Sequence, residues 1–188
     1  MKNLNILFTS SGRRVSLIKK FKKTIQELNL KSKIHVTDLS PLAPTAHIGE
    51  KFHKAISVRD KGYVKFLREI CIKENIRLII PLIDDELALL SENYKTFDDL
   101  GVKVLVSDHK ANLIYSNKEK TSNFFLKNNI PCPKTYSFKE ALSLKHDSYP
   151  LILKPVFGSS SKNVFKLENK KDLEYFYPKL EKSIIQEF

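Results

Sequence analysis

The stretch that decides the fold reads YPLILKPVFGSSSKNVFKL and runs from residue 149 to residue 167. Two apolar runs, residues 151–153 and 164–167, flank a loop of small residues, Gly158 to Ser161. This pattern predicts a strand, a polar loop and a returning strand, with Lys154 at the rim of the first strand. Backbone N–H groups and hydroxyls of such a loop can surround an anion, and the lysine neutralises its charge. The segment therefore predicts a hairpin that covers a polyphosphate.

The residues around this hairpin predict a small α+β unit. Residues 134–188 read strand, helix, strand, strand, helix, strand. Before them, residues 108–129 read as two helices, or one helix broken near Ser116, and Pro131 and Pro133 end that region.

The N-terminal part predicts a different architecture, because strand and helix alternate over residues 1–107. Strands are expected at residues 5–9, 34–37, 55–58, 78–81 and 102–106, and helices at roughly 13–29, 63–71 and 86–94. The fully apolar run at 78–81 is typical of a parallel sheet covered on both faces. We therefore expect an α/β chain, with a Rossmann-like parallel-sheet domain at 1–112 and a small α+β domain at 113–188.

Composition narrows the class of protein. The chain has 188 residues, of which 41% are hydrophobic, and no apolar run approaches the length of a membrane span. Cys71 and Cys132 fit no metal or redox spacing, so a reduced, cytoplasmic protein is expected. The net charge of +12 comes mostly from scattered lysines without a nucleic-acid-binding motif, so we expect neither a nucleic acid nor a membrane as partner.

The turn after the first strand, residues 9–14, lies where open α/β sheets bind ligands. It contains only Gly12, so it is not a dinucleotide fingerprint, and Asp38 after the second strand is read first as a loop organiser. Arg13 and Arg14 can hold a carboxylate or phosphate of a substrate; the alternative is that one caps a loop and the other is solvated.

The acidic cluster Asp84, Asp85 and Glu86 follows another strand and opens a helix. Helix capping is the simpler interpretation, and a substrate-facing role for one acid is the alternative. Three consecutive residues point in different directions, so they do not form a metal site by themselves.

Taken in order, these segments resemble the ATP-grasp superfamily, and within it the group similar to the carbamoyl-phosphate synthase large subunit. NILFTSSGRR, VTDLSPLAPTAHIGEKFHKA and RLIIPLIDDELALL resemble the pre-ATP-grasp domain of that group. NKEKTSNFFLKNNIPCPKTY resembles the helix and proline turn that lead into the ATP-grasp fold, and IIQEF at the end resembles its adenine-contacting hinge. The resemblance covers nearly the whole chain and implies an ATP-dependent ligase that acts through an acyl phosphate.

The resemblance also implies roles for single residues. Lys118 and Lys154 match the two phosphate-binding lysines, and the next segments match the phosphate loop and the adenine hinge. The full set implied for ATP is Lys118, Lys154, Gly158, Ser159, Ser160, Ser161, Lys162, Glu187 and Phe188. The set implied for a small carboxylate or amine substrate is Arg13, Arg14, Asp84, Asp85 and Glu86.

Two departures from the family pattern shape the expected activity. Ser160 and Asn163 stand where glycine is common in the loop. The family's magnesium ligands would follow Phe188, so Mg²⁺ is expected only with a missing C-terminal half. We therefore expect a truncated or split ATP-grasp ligase, inactive alone, with an unpaired sheet edge at Phe188. The alternative is a non-catalytic binding module, or a partner that joins a complementary ATP-grasp half.

Overall fold

A computed structural model describes residues 4–158 and 161–188. The chain divides into two compact units, Met1–His109 and Lys110–Phe188. Across the described ranges, no helix has the length and apolar character that crossing a membrane requires.

The first unit is a parallel five-stranded sheet covered by helices. Its strands are β1 (Asn5–Thr9), β2 (Ile34–Asp38), β3 (Lys51–Lys54), β4 (Ile76–Pro81) and β5 (Lys103–Val104). Its helices are α1 (Val15–Glu27), α2 (Tyr63–Lys73), α3 (Asp84–Glu92) and α4 (Tyr94–Asp98), with a 3-10 turn at Pro44–His47. The strand order is β3-β2-β1-β4-β5.

Both faces of this sheet are buried. Successive side chains along each strand point to opposite faces, and each face packs against its own apolar cluster. On one face Ile6 and Phe8 pack with Ile18 of α1. On the other face Leu7 packs with Tyr63 of α2 and with other apolar side chains. The expected parallel α/β domain is confirmed, and the order of its strands reverses direction at the β1–β4 pair. Ligands of open α/β sheets bind at such a switch point, outside the carboxyl ends of the strands.

One strand lies elsewhere than expected. The sequence favoured residues 55–58, whereas the structure forms β3 at Lys51–Lys54, paired with β2. The apolar run misled the prediction because β3 is an edge strand with exposed lysines at both ends. Edge strands carry such charges to prevent pairing with other chains.

The second unit has the expected order of elements. Helices α5 (His109–Tyr115) and α6 (Lys118–Lys127) precede β6 (Thr135–Tyr136), α7 (Phe138–Ser143), β7 (Leu151–Pro155), β8 (Phe165–Leu167), α8 (Lys170–Phe176) and β9 (Ser183–Glu187). Short 3-10 turns occupy His146–Ser148 and Tyr177–Lys179. Leu151 and Leu153 of β7 pack against Leu173 of α8 on one face of the sheet.

The last strand is not an edge, which corrects the expectation of an unpaired edge at Phe188. The antiparallel sheet has the order β6-β9-β7-β8, so β9 lies between β6 and β7. The pairing joins residues far apart in sequence, such as Thr135 with Gln186. Linear periodicity carries no information on this kind of pairing.

Candidate functional site

The β7–β8 hairpin and the start of α6 enclose a cleft of about 320 Å³ within the second unit. The cleft is lined by Lys118, Ile152, Lys154, Pro155, Phe157, Gly158, Ser161, Lys162 and Val164. The cleft therefore brings together four residues that we expect to bind phosphate: Lys118, Lys154, Gly158 and Lys162. Ser161 joins them, whereas Ser159 and Ser160 lie outside the described residues.

Lys118 is held at the first position of α6 by contacts from two sides. The Asn117 side chain caps the helix by accepting from the Lys120 N–H at 2.9 Å. The Lys118 backbone N–H donates to the Val156 carbonyl at 3.0 Å, which joins the helix to the chain just after β7. Its Nζ donates to the Gly158 carbonyl at 2.8 Å. Lys118 is thus positioned by its backbone as well as by its side chain.

Lys154 projects from β7 into the same cleft. Burial lowers its pKa, and the nearby positive charge of Lys118 lowers it further. In the described part of the chain, no carboxylate lies within 4.0 Å of either ammonium group. Two crowded ammonium groups without a carboxylate favour a multiply charged anion, since it would relieve their repulsion.

The loop between β7 and β8 contains residues with left-handed backbone conformation. Gly158 has a φ of +107°, and Ser161 and Asn163 each have a φ of +55°. Asn tolerates this region better than most residues, which fits its place where the family has glycine. An added Cβ at Gly158 would meet nothing within 4 Å, so glycine is required there by backbone conformation and not by space.

The expected adenine hinge lies at the end of β9. The Glu187 N–H donates to the Lys134 carbonyl at 3.0 Å, and the Glu187 side chain accepts from the Lys134 N–H at 3.1 Å and the Tyr136 hydroxyl at 3.2 Å. Phe188 is 71% exposed, with the Lys166 ammonium 4.9 Å from its ring centroid. Glu187 is therefore fixed to β6, and the Phe188 ring is open to solvent.

In the first unit, the turn after β1 is held by side chains of the neighbouring strand. The Gly12 N–H donates to Asp38 Oδ2 at 2.8 Å, and the Ser40 N–H donates to Asp38 Oδ1 at 3.0 Å. Asp38 thus organises two loops, as predicted. Gly12 and Ser10 both have positive φ, at +48° and +47°.

A second cleft, of about 440 Å³, opens beside this turn at the β1–β4 switch point. It is lined by Arg14, Leu17, Pro81, Leu82, Ile83, Asp84 and Leu87. Of the residues expected to face a substrate, Arg14 and Asp84 line this cleft. Arg13 and Asp85 are exposed outside its lining.

Glu86 occupies a different environment from its acidic neighbours, because it is 0% exposed. Its carboxylate accepts from the Thr9 hydroxyl at 2.8 Å, the Ser10 hydroxyl at 2.9 Å and the Tyr63 hydroxyl. Burial raises the pKa of the Glu86 carboxyl, while the three hydroxyl donors oppose that shift. This carboxylate ties α3 to β1 and α2 instead of facing the second cleft.

Sequence reasoning did not identify Thr9, Ser10 and Tyr63 as partners of this acid. From the sequence, Tyr63 is only the first residue of the helix expected at 63–71. A hydroxyl-bearing pair at the end of β1 was the one available signal, and it lies 76 or 77 residues before Glu86.

Magnesium ligands are not assembled in the part of the chain that the structure describes. Residues 4–158 and 161–188 contain no group of three or more His, Cys, Asp or Glu side chains placed to hold a metal ion. The two lysines and the cleft fit the phosphates of ATP, and the present residues provide no comparable set for Mg²⁺.

A parallel α/β unit followed by a small antiparallel sheet, with two lysines beneath its hairpin loop, defines a protein of the ATP-grasp class. Comparison with family models agrees. Residues 6–105 match the PylC-like N-terminal domain, and residues 115–188 match the ATP-grasp domain. The chain therefore has a PylC-like N-terminal domain and belongs to the ATP-grasp superfamily. The matches do not single out the carbamoyl-phosphate synthase-like group, and that finer assignment stays a prediction.

Two curated relatives of the chain are ligases. It is 35% identical over 91 residues to the D-alanine–D-alanine ligase of Fusobacterium nucleatum, covering 48% of this chain and 30% of that protein. It is 27% identical over 134 residues to the alpha-aminoadipate–LysW ligase LysX of Saccharolobus solfataricus. That match covers 69% of this chain and 46% of LysX. The fold of an L-amino acid ligase from Bacillus licheniformis matches with a TM-score of 0.70 at 18% identity, over 100% of this chain and 45% of that one. The chain thus spans less than half the length of the relatives it matches.

Proposed function

We propose that this chain is the ATP-binding portion of an ATP-grasp ligase that joins a carboxylate to an amine through an acyl phosphate. The observation that carries the proposal is the cleft in which Lys118 and Lys154 meet beneath the hairpin loop. In the proposed reaction, a carboxylate oxygen attacks the γ-phosphorus of ATP and ADP leaves. The amine nitrogen then attacks the acyl carbon, and inorganic phosphate leaves.

Each part of the second unit has a proposed task in this reaction. Lys118, Lys154 and Lys162 hold the phosphates, and Gly158 to Ser161 cover them. The backbone at Glu187 and Phe188 reads the adenine edge. Since the Glu187 N–H already donates to Lys134, the Glu187 carbonyl and the Phe188 N–H are the proposed contacts.

We propose that the cleft at the β1–β4 switch point takes the carboxylate or amine substrate. Arg14 and Asp84 bring opposite charges to one cleft, and Leu17 adds apolar surface. A guanidinium suits a carboxylate and an aspartate suits an ammonium group, so the cleft fits a small molecule that carries both. Glu86 stabilises this site indirectly, because it accepts a hydrogen bond from Ser10 in the turn that precedes Arg14.

The resemblance assigns the family's magnesium ligands to a second subdomain. We therefore propose that a complementary ATP-grasp half supplies Mg²⁺ to the bound nucleotide and that residues 1–188 alone bind ATP without turning it over. Bound Mg²⁺ neutralises charge as the phosphoryl group transfers. Release of ADP by residues 1–188 with an amino-acid mixture would contradict this part of the proposal.

ATP binding to residues 1–188, measured by isothermal titration calorimetry, tests the site. Lys154→Ala is expected to raise the Kd about tenfold or more, because a charge-assisted contact to phosphate is lost. Lys170→Ala is the matched control, since it removes the same charge from an exposed position at the start of α8. Equal weakening in both variants would show unspecific attraction to a basic chain and would overturn the assignment of Lys154.

A further inference from the structure

Three polar side chains form a hydrogen-bonded relay on the cleft-bearing face of the second unit, in which Thr135 is half-buried. The Gln186 Nε2 donates to the Thr135 hydroxyl at 2.9 Å, and the Thr135 and Ser122 hydroxyls lie 2.8 Å apart. Gln186 and Ser122 are only 6% and 4% exposed. The relay joins β9, β6 and α6, and none of its members was identified from the sequence.

The donor of the relay is fixed at its Gln186 end. An amide N–H can only donate, so the Thr135 oxygen accepts from Gln186. In the contact between the Thr135 and Ser122 hydroxyls, either group can be the donor. The arrangement therefore needs a donor at Gln186 and hydroxyls at the other two positions.

The relay ends on the helix that carries Lys118. Ser122 follows Lys118 by four residues, so both side chains lie on the same face of α6. The first residue of α6 is fixed to the chain after β7 through the Lys118 N–H, and the relay fixes the next turn to β6 and β9. Two anchors, one turn apart, set the rotation of α6 about its own axis.

The Gln186 end of the relay lies beside the cleft strand β7 and beside the proposed adenine contacts. Gln186 pairs with Ile152 of β7, so the two side chains share one face of the sheet. Ile152 lines the cleft together with Lys154, two residues further along the same strand. Gln186 also directly precedes the proposed adenine contacts at Glu187 and Phe188.

We propose that Gln186 is a positioning residue of the nucleotide site. Its side-chain amide acts through Thr135 and Ser122 to fix the helix that presents Lys118 to the phosphates. The inference rests on the proposed ATP site and goes beyond it, because Gln186 touches no ligand in this scheme.

The experiment compares ATP with adenosine, which lacks the phosphates that Lys118 would contact. Gln186→Leu and Thr135→Val are each expected to raise the Kd for ATP about fivefold, the range of one lost hydrogen bond, and to leave the Kd for adenosine unchanged. Thr135→Ser keeps the hydroxyl and is expected to retain the wild-type affinity. In a Lys118→Ala background, Gln186→Leu is expected to have no further effect on ATP binding.

The outcomes separate this inference from the proposed function. Equal losses for ATP and adenosine, or additive effects of Gln186→Leu and Lys118→Ala, would show that the relay only supports the fold, and they would overturn the inference. Wild-type ATP binding that depends on Lys118 but not on Gln186 would overturn it while leaving the ATP site in place. No ATP binding by the wild-type chain would contradict both. If Gln186→Leu does not fold, Ser122→Ala carries the same test, since it breaks the relay on the helix side.

Discussion

Glu86 shows how one charged side chain can be more important to a fold than its neighbours in sequence. It lies in the first turn of α3 beside two exposed aspartates, yet its carboxylate is buried among hydroxyls from three other positions. A buried carboxylate is tolerated only when its oxygens accept hydrogen bonds, and here both do. The same contacts hold the turn that leads to Arg14.

Glu86→Gln is expected to lower the free energy of unfolding of the first unit by about 1–3 kcal/mol. The new amide nitrogen cannot accept, so at least one of the three hydroxyls loses its acceptor. Urea denaturation followed by circular dichroism measures the change. Asp85→Asn, an exposed neighbour in the same helical turn, should change stability by only a few tenths of a kcal/mol. A Glu86→Gln variant as stable as the Asp85→Asn control would contradict this role.

Because of the His35–His53 pair, we expect the folded chain to lose stability at acid pH. His35 Nδ1 and His53 Nε2 lie 3.1 Å apart, and the His35 Nε2 has no hydrogen-bond partner among the described residues. Burial lowers the pKa of His35, and burial with the neighbouring His35 lowers the pKa of His53 to about 4. Glu74 opposes both shifts, whereas Lys51 adds to them.

Both folded-state pKa values lie below the ordinary value of 6.5, so the unfolded chain binds protons first as the pH falls. Stability is therefore complete above pH 6.5 and is expected to decline from there toward about pH 4. The midpoint of urea unfolding, measured at several pH values, checks this. His53→Asn should flatten the decline, and His146→Asn, on an exposed turn, should leave it unchanged. The same decline in all three proteins would assign it to other groups.

At the scale of elements, two helices of the second unit begin with the same cap. The Asn117 side chain accepts from the Lys120 N–H at 2.9 Å, and the Asn169 side chain accepts from the Asp172 N–H at 3.1 Å. Only the first of these helices, α6, carries a proposed phosphate ligand. The second, α8, covers the opposite face of the sheet and carries none.

Asn117→Ala and Asn169→Ala should therefore have separable effects. Each loses one cap, which contributes about 1 kcal/mol, so amide hydrogen exchange should speed up in the first turn of the affected helix. Only Asn117→Ala is expected to weaken ATP binding as well, because it loosens the turn that presents Lys118. Asn117→Ser keeps a neutral acceptor and should restore both properties. If Asn169→Ala weakened ATP binding equally, the effect would be general destabilisation.

The elements show which parts of the fold a sequence can reveal. The order of strands and helices over residues 134–188 followed from local periodicity and proline punctuation, and the structure confirms it. The position of β9 between β6 and β7 could not be derived, since pairing depends on contacts between distant segments. β3 was misplaced because Phe52 is its only apolar residue, and the next run is more apolar.

The candidate site also contains residues that local sequence reveals and residues that depend on contacts between distant segments. Lys154 and the loop were visible because strand periodicity and small residues mark them locally, and the family resemblance added Lys118. The burial of Glu86 was not visible, since an acid at a helix start is usually solvated. The relay through Gln186 was also hidden, because its hydrogen bonds span 51 and 13 residues.

At the scale of the whole molecule, every proposed contact with ATP lies in the second unit, Lys110–Phe188. This unit has its own buried core, in which Leu151, Leu153 and Ile185 of the sheet pack with Ala141 and Leu173 of the helices. Chains of this size can fold alone when they have such a core, although the margin is small. We therefore predict that residues 106–188, which keep α5 intact, fold independently.

The expected result is a cooperative thermal transition for residues 106–188, with a Kd for ATP within about threefold of that of the full chain, a difference of about 0.65 kcal/mol. Lys154→Ala in this fragment should weaken ATP binding by the same factor as in the full chain, because all the described residues that line its cleft belong to the second unit. Calorimetry of both proteins checks the prediction. A folded fragment that lost ATP binding would mean that residues of the first unit contact the nucleotide, and the assignment of Arg13, Arg14 and Asp84 to the other substrate would then have to be revised.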